Sequence, residues 1–212
     1  MGPASDESPL LHRASANGDV DVVSAEIDDR GVAVDTRDDD GDTPLHKACS
    51  NGRLEIITAL LDRGANVEAR DEEGTTPLQR AAGNCKLDVM ALLLDRGADT
   101  GAQKRGGGTA LHRACLHGYV EAAALLLLRG ADIAAKDSTN GVTPLHSSSL
   151  TGEAPSVKML LNGGADVSST ADNGETPLHY ACMYRSFDAS TVLLDRGADI
   201  KATNCYGNTP LH

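Results

Sequence analysis

Seven positions in this sequence carry a regularly repeated side chain that can accept a proton or donate a ligand atom. They are His12, His46, Gln79, His112, His146, His179 and His212, separated by 34, 33, 33, 34, 33 and 33 residues. Six imidazoles in one register suggest a metal ladder, but geometry rejects it. Elements one period apart stack about 10 Å from each other, whereas zinc is held through bonds of about 2 Å. One histidine per period cannot converge on a single ion. Only His117 lies off the register.

Other reactive residue types fail on spacing. The run Asp35-Thr36-Arg37-Asp38-Asp39-Asp40-Gly41-Asp42 has the composition of a calcium loop. With Gly at the sixth position, such a loop needs an acid first and Glu twelfth. Counting from Gly41 puts Thr36 first and Lys47 twelfth, so a solvated turn is expected. Gly106-Gly107-Gly108 follows Lys104-Arg105 but matches neither phosphate-binding glycine pattern. Cys49, Cys115 and Cys182 share the third position after the histidine and read as small core residues. One per period, they are too far apart for a disulfide, and no C-x-x-C pair exists. No Ser/His/Asp or Cys/His set has catalytic spacing. The expectation is therefore no catalytic residue, no metal and no cofactor.

The residues around each histidine say what must position it. Thr43-Pro44-Leu45-His46 returns as Thr143-Pro144-Leu145-His146, Thr176-Pro177-Leu178-His179 and Thr209-Pro210-Leu211-His212. Variants stand at Thr76-Pro77-Leu78-Gln79, Thr109-Ala110-Leu111-His112 and Pro9-Leu10-Leu11-His12. Thr is an N-cap and Pro is tolerated at the first helical position, so each motif predicts a helix start. In the second period Leu45, Ala48 and Cys49 form its apolar stripe and Gly52 its stop. A second helix follows through Leu54, Ile57, Leu60 and Leu61, and Gly64 ends it. Gly64-Ala65-Asn66 is itself periodic, at Gly97, Gly130, Gly164 and Gly197. Cys85 and Arg185 replace the inter-helix glycine, and Ser147-Ser148-Ser149 replaces small apolar residues. The first period has one extra residue before Gly31. The layers after about Gly141 are expected to be the softest, and Leu126 is expected to be buried.

A fixed period of about 33 residues with T-P-L-H-x-A is the ankyrin signature, and the chain resembles the ankyrin-repeat family over nearly all its length. The resemblance implies an all-α repeat fold, a right-handed ankyrin-type α-solenoid of helix-turn-helix units with β-hairpin fingers. The expected organisation is a disordered leader, 1–7, and a repeat domain, 8–212. Its repeats fall at about 8–37, 38–70, 71–103, 104–136, 137–170 and 171–203, with a partial one at 204–212. The resemblance also implies that the motif Thr and His tie each repeat to the next through hydrogen bonds. Family members can be hydroxylated on Asn two residues after the Asp of Gly-Ala-Asp. The matching positions are Glu68, Gly101, Ala134, Ser168 and Lys201, so this modification is not expected.

A formal net charge of −12 argues against nucleic acid and against an anionic membrane surface. Aromatic residues are only 2% of the chain, which suits small stacked layers better than one central core. No apolar run is long enough to span a membrane, and residues 1–7 do not form a signal peptide. An odd count of five cysteines with no C-x-x-C pair fits a reducing compartment, so an intracellular protein, cytoplasmic or nuclear, is expected. A monomer is expected.

The resemblance implies a non-enzymatic protein–protein interaction module that binds a partner segment on its concave face and finger tips. The first-helix positions one, four and five after the histidine run from polar, at Lys47, Ser50 and Asn51, to apolar and aromatic. The latter are Leu116, Leu150, Tyr180, Met183 and Tyr184, with Tyr206 on the next finger. Ser147, at the first of these positions, is expected to be exposed. Tyrosine is enriched at binding hot spots. A partner segment is expected across these residues, its basic end meeting the acidic fingers at Asp38, Asp39, Asp40, Asp71, Glu72 and Glu73. In a competing reading the array targets a larger enzyme, ubiquitin-ligase adaptor or channel whose working domain lies beyond His212.

Overall fold

The computed structural model describes residues 8–212, so the expected leader, 1–7, lies outside the described residues. The described chain is all-helical and divides into two compact units, one ending at Asp99 and the other Thr100–His212. The N-terminal unit contains α1 (Ser8–Asn17), α2 (Val20–Ser24), α3 (Pro44–Asn51), α4 (Leu54–Asp62), α5 (Pro77–Ala82) and α6 (Leu87–Asp95). The C-terminal unit contains α7 (Ala110–Leu116), α8 (Val120–Leu128), α9 (Pro144–Thr151), α10 (Ala154–Asn162), α11 (Pro177–Met183) and α12 (Phe187–Asp195). In the first unit α3 packs between α1 and α5, and α4 packs between α2 and α6. In the second, α9 packs between α7 and α11, and α10 between α8 and α12.

Each first helix starts where the motif predicts. Thr43, Thr76, Thr109, Thr143 and Thr176 are N-caps in extended conformation, and each is followed by Pro except Thr109, which is followed by Ala110. The motif leucines Leu45, Leu78, Leu111, Leu145 and Leu178 are all buried. Burying each stabilises its layer by about 1.5–3 kcal/mol. Leu126, on α8, is buried as expected.

The turn between paired helices requires a left-handed residue. Gly52, Gly118 and Gly152 supply it at φ 75°, 70° and 80°. Where glycine is missing the turn keeps its shape: Cys85 sits at φ 51° and Arg185 at φ 58°. A β-carbon in this region costs about 1–2 kcal/mol.

The first repeat accommodates its extra residue by widening one helical turn rather than lengthening the loop. After α2 the chain forms a π-helical turn, Ala25–Asp29, with Arg30 N–H donating to the Ala25 carbonyl at 3.1 Å. A single π turn inserts one residue while keeping the helix axis.

The fingers are tight turns, and no strand is assigned among the described residues. Each is closed by main-chain bonds, such as Asp38 N–H to the Asp42 carbonyl (3.0 Å) with Gly41 N–H to the Asp38 carbonyl (2.9 Å), and Ala171 N–H to the Glu175 carbonyl (2.9 Å) with Gly174 N–H to the Ala171 carbonyl (2.9 Å). Main-chain bonds join neighbouring fingers: Glu72 N–H to the Asp40 carbonyl (3.3 Å), Asp172 N–H to the Asn140 carbonyl (2.8 Å) and Cys205 N–H to the Asn173 carbonyl (2.9 Å). They approach closely enough that a β-carbon on Gly107 would lie 2.0 Å from the Ser138 nitrogen.

Candidate functional site

Finger and first helix are held together by the motif histidine. The Nδ1 of His46 accepts from Thr43 N–H at 3.2 Å, which fixes the ring proton on Nε2. Nε2–H then donates to the Thr75 carbonyl of the following repeat at 2.9 Å. The same pattern joins His112 to Val142 (2.9 Å), His146 to Glu175 (3.1 Å) and His179 to Asn208 (3.1 Å). Gln79 imitates it, its Oε1 accepting from Thr76 N–H at 2.9 Å. Burial pushes the His46, His112 and His146 imidazoles below their ordinary value, His146 to about 4, although the carbonyls they donate to pull the other way. With both ring nitrogens engaged these histidines are structural. Cys49 and Cys115 are likewise buried, and burial pushes the Cys115 thiol up to about 12.

Among the described residues two groups of side chains come close enough to hold a cation: Asp38, Asp40 and Asp42, and Asp42, His46 and Asp71. A side-chain cation already meets each. Lys47 Nζ lies 2.8 Å from Asp38 and 2.8 Å from Asp42, and Arg80 bonds Asp42 at 3.0 Å and Asp71 at 2.7 Å. Burial pushes the Asp71 carboxyl up, but bonds from Thr75 N–H and Arg80 outweigh it and leave the group below the usual carboxylate range. This corrects the reading in which all six finger acids face a partner. Asp38 and Asp71 are committed to internal ion pairs, and Asp71 is buried. Asp39, Asp40, Glu72 and Glu73 are exposed.

In the C-terminal unit the expected apolar positions lie on first helices and fingers. Leu116 is exposed, Met183 and Tyr184 are 58% and 54% exposed, and Tyr206 is 75% exposed on its finger. Leu150 and Tyr180 are half-buried. Tyr180 packs edge-on against the His146 ring at 5.1 Å between centroids. Ser147 is buried, contrary to expectation, because the position after the motif histidine faces the fingers rather than solvent. Phe187, at the start of α12, is also exposed, at 79%. A recess of about 340 Å³ opens beside α11, lined by Asn140, Asp172, Asn173, Glu175, Tyr180, Met183 and Tyr184. Its acid Glu175 escaped the sequence reading. The available signal was register: Glu175 stands directly before the motif Thr, as Asp42 does. Among the described residues no helix is long and apolar enough to cross a membrane.

The family model described as "Ankyrin repeats (3 copies)" matches residues 11–104 and 153–212, and the single ankyrin-repeat model matches 106–138. No curated relative matches the sequence. Among solved structures, the ankyrin repeat domain of Bcl-3, described as a unique member of the IkappaB protein family, is 31% identical. That match has a TM-score of 0.82 and covers 95% of this chain and 92% of the other. The human ASB11 ankyrin repeat domain is 30% identical, with a TM-score of 0.83, covering 95% of this chain and 89% of the other.

Proposed function

Because this chain belongs to the ankyrin-repeat family, whose repeats are protein–protein interaction modules, we propose that it recognises a segment of a partner protein without catalysing a reaction. In the C-terminal unit the segment lies on the first-helix faces and finger tips, at Leu116, Leu150, Tyr180, Met183, Tyr184 and Tyr206. In the N-terminal unit the exposed acids Asp39, Asp40, Glu72 and Glu73 supply an electrostatic contact for a basic stretch. The proposed setting is intracellular.

The supporting observation is the exposure of Met183, Tyr184 and Tyr206 in a chain with so few aromatics. Large apolar side chains clustered at a surface mark binding sites, and rigid tyrosines give contact area at low entropic cost. Tyr180 is already ordered by its packing on His146, so less freedom is lost on binding.

Affinity capture from the source cell tests this, comparing the wild-type chain with Tyr180→Ala/Tyr184→Ala and Asp39→Lys/Glu72→Lys. The aromatic pair is expected to raise the dissociation rate, and the charge reversals to slow association and weaken its salt dependence. Folded variants that retain every partner at unchanged affinity would exclude the surface.

A further inference from the structure

The recess beside α11 contains carboxylates that no ion pair reaches among the described residues. In the second repeat the acid before the motif Thr, Asp42, is met by Lys47 from its own helix at 2.8 Å. In the sixth repeat the acid is kept as Glu175, but the position of Lys47 is occupied by Tyr180. Glu175 is 92% buried by its 8% exposure, and its one side-chain bond is a long one from Asn204, 3.4 Å. Asp172 stands exposed at the rim. Among the described residues no ion pair reaches Glu175 or Asp172. The nearby cation Lys136 is engaged with the Thr170 carbonyl at 2.8 Å. The Tyr180 phenol is pushed up, first by burial and then by Glu175, Asp137 and Tyr184, so the carboxylates act on the same space as the rings.

A buried carboxylate without a cation is costly. Carboxylates beside tyrosine faces match one side chain particularly well. A guanidinium is flat, stacks on aromatic rings and donates two parallel bonds to a carboxylate. We propose that this recess receives an arginine side chain of the partner segment, its guanidinium standing opposite Glu175 as Lys47 stands opposite Asp42. The inference rests on the partner-segment reading above and gives that segment a chemistry. The arginine stacks on Tyr180 and Tyr184, and Asp172 contacts it at the rim. Asn140 and Asn173 face the same recess and can accept its remaining N–H groups.

Random peptides displayed on phage and selected on the intact chain supply probes. Each selected peptide is synthesised with its arginine and with citrulline, which keeps the planar shape and removes the charge. Selected peptides are expected to share an arginine at one fixed position, and citrulline to weaken binding by about tenfold or more. Asp172→Asn/Glu175→Gln is expected to cause a similar loss and to erase the preference for arginine over citrulline. Circular dichroism checks folding, and Asp172→Asn alone, at an exposed position, serves if the double variant unfolds. Peptides that require Tyr180 and Tyr184 but bind equally well with citrulline overturn this proposal and leave the recognition surface standing. Peptides indifferent to Tyr180→Ala/Tyr184→Ala, or a selection that yields none, overturn both.

Discussion

The imidazole of His146 donates from Nε2 to the main-chain carbonyl of Glu175 at 3.1 Å, across 29 residues of sequence. Its Nδ1 accepts from Thr143, so the ring does this work only when neutral. The folded chain therefore resists protonation that the unfolded chain accepts. His46 and His112 are held low in the same way, chiefly by burial. Their contribution to stability is complete above the ordinary imidazole value of about 6.5 and falls as pH drops, for His146 down to about 4. The slope is at most about 1.4 kcal/mol per pH unit for each imidazole. Denaturant melts between pH 7 and pH 4.5, roughly spanning that window, check it. His146→Gln should flatten the profile while keeping the fold, because Gln79 already fills this role. An unchanged profile in that variant would show that His146 does not titrate with folding.

A second expectation concerns the left-handed turns. Arg185→Gly and Cys85→Gly each relieve a β-carbon at positive φ. Set against the extra entropy of glycine in the unfolded chain, the net gain is about 1 kcal/mol or less per site. Arg185→Gly should also slow amide exchange in α11 and α12. A lower melting midpoint in both variants would mean that the native side chains offset the strain through their own contacts.

Two buried positions in the C-terminal unit predict opposite signs. Leu126 is fully buried, and Leu126→Ala should cost about 2–5 kcal/mol. Ser156 is also fully buried, and among the described residues its hydroxyl finds no hydrogen-bond partner. Its equivalents in the neighbouring repeats are Ala122 and Ala189. Ser156→Ala should stabilise by about 1 kcal/mol. Urea titrations of the two variants suffice, and destabilisation by Ser156→Ala would point to a bond made by that hydroxyl.

The ion pairs under the first fingers give a fourth. Arg80→Ala leaves the Asp71 side chain, 1% exposed, without its cation. Arg80 keeps 30% exposure, so losing this part-buried charged bond costs about 1.5–3 kcal/mol. Because the Asp71 carboxyl is held below its ordinary value, the pair's stabilisation is complete above about pH 3.9 and disappears on acidification through the folded value. Asp71→Asn added to Arg80→Ala should recover part of the loss at neutral pH. Strict additivity in that cycle would mean the two groups do not interact.

Helix starts, caps and the buried leucine stripe were legible because each is written within a few residues: Thr43, Pro44, Leu45 and His46 determine one another locally. The π turn at Ala25–Asp29 showed only as one surplus residue, because either a helix or a loop can accept an insertion. The fate of the acidic fingers was hidden for a different reason. Arg80 reaches Asp42 across 38 residues, a distance no periodic pattern expresses. Tyr180 and Met183 were recognised by type, whereas Glu175 matters only through its register with Asp42 and the replacement of Lys47 by Tyr180.

The acceptor of each histidine bond has a consequence for how such a chain can change over time. His12, His46, His112, His146 and His179 all address a main-chain carbonyl, and the residues providing it are Asp42, Thr75, Val142, Glu175 and Asn208. Five different side chains serve equally because none of them takes part. The joint between successive modules is thus blind to identity at a residue that borders the finger. A gene duplication or an unequal crossover can splice modules there without repairing the seam, and mutation can explore new surface chemistry without loosening it.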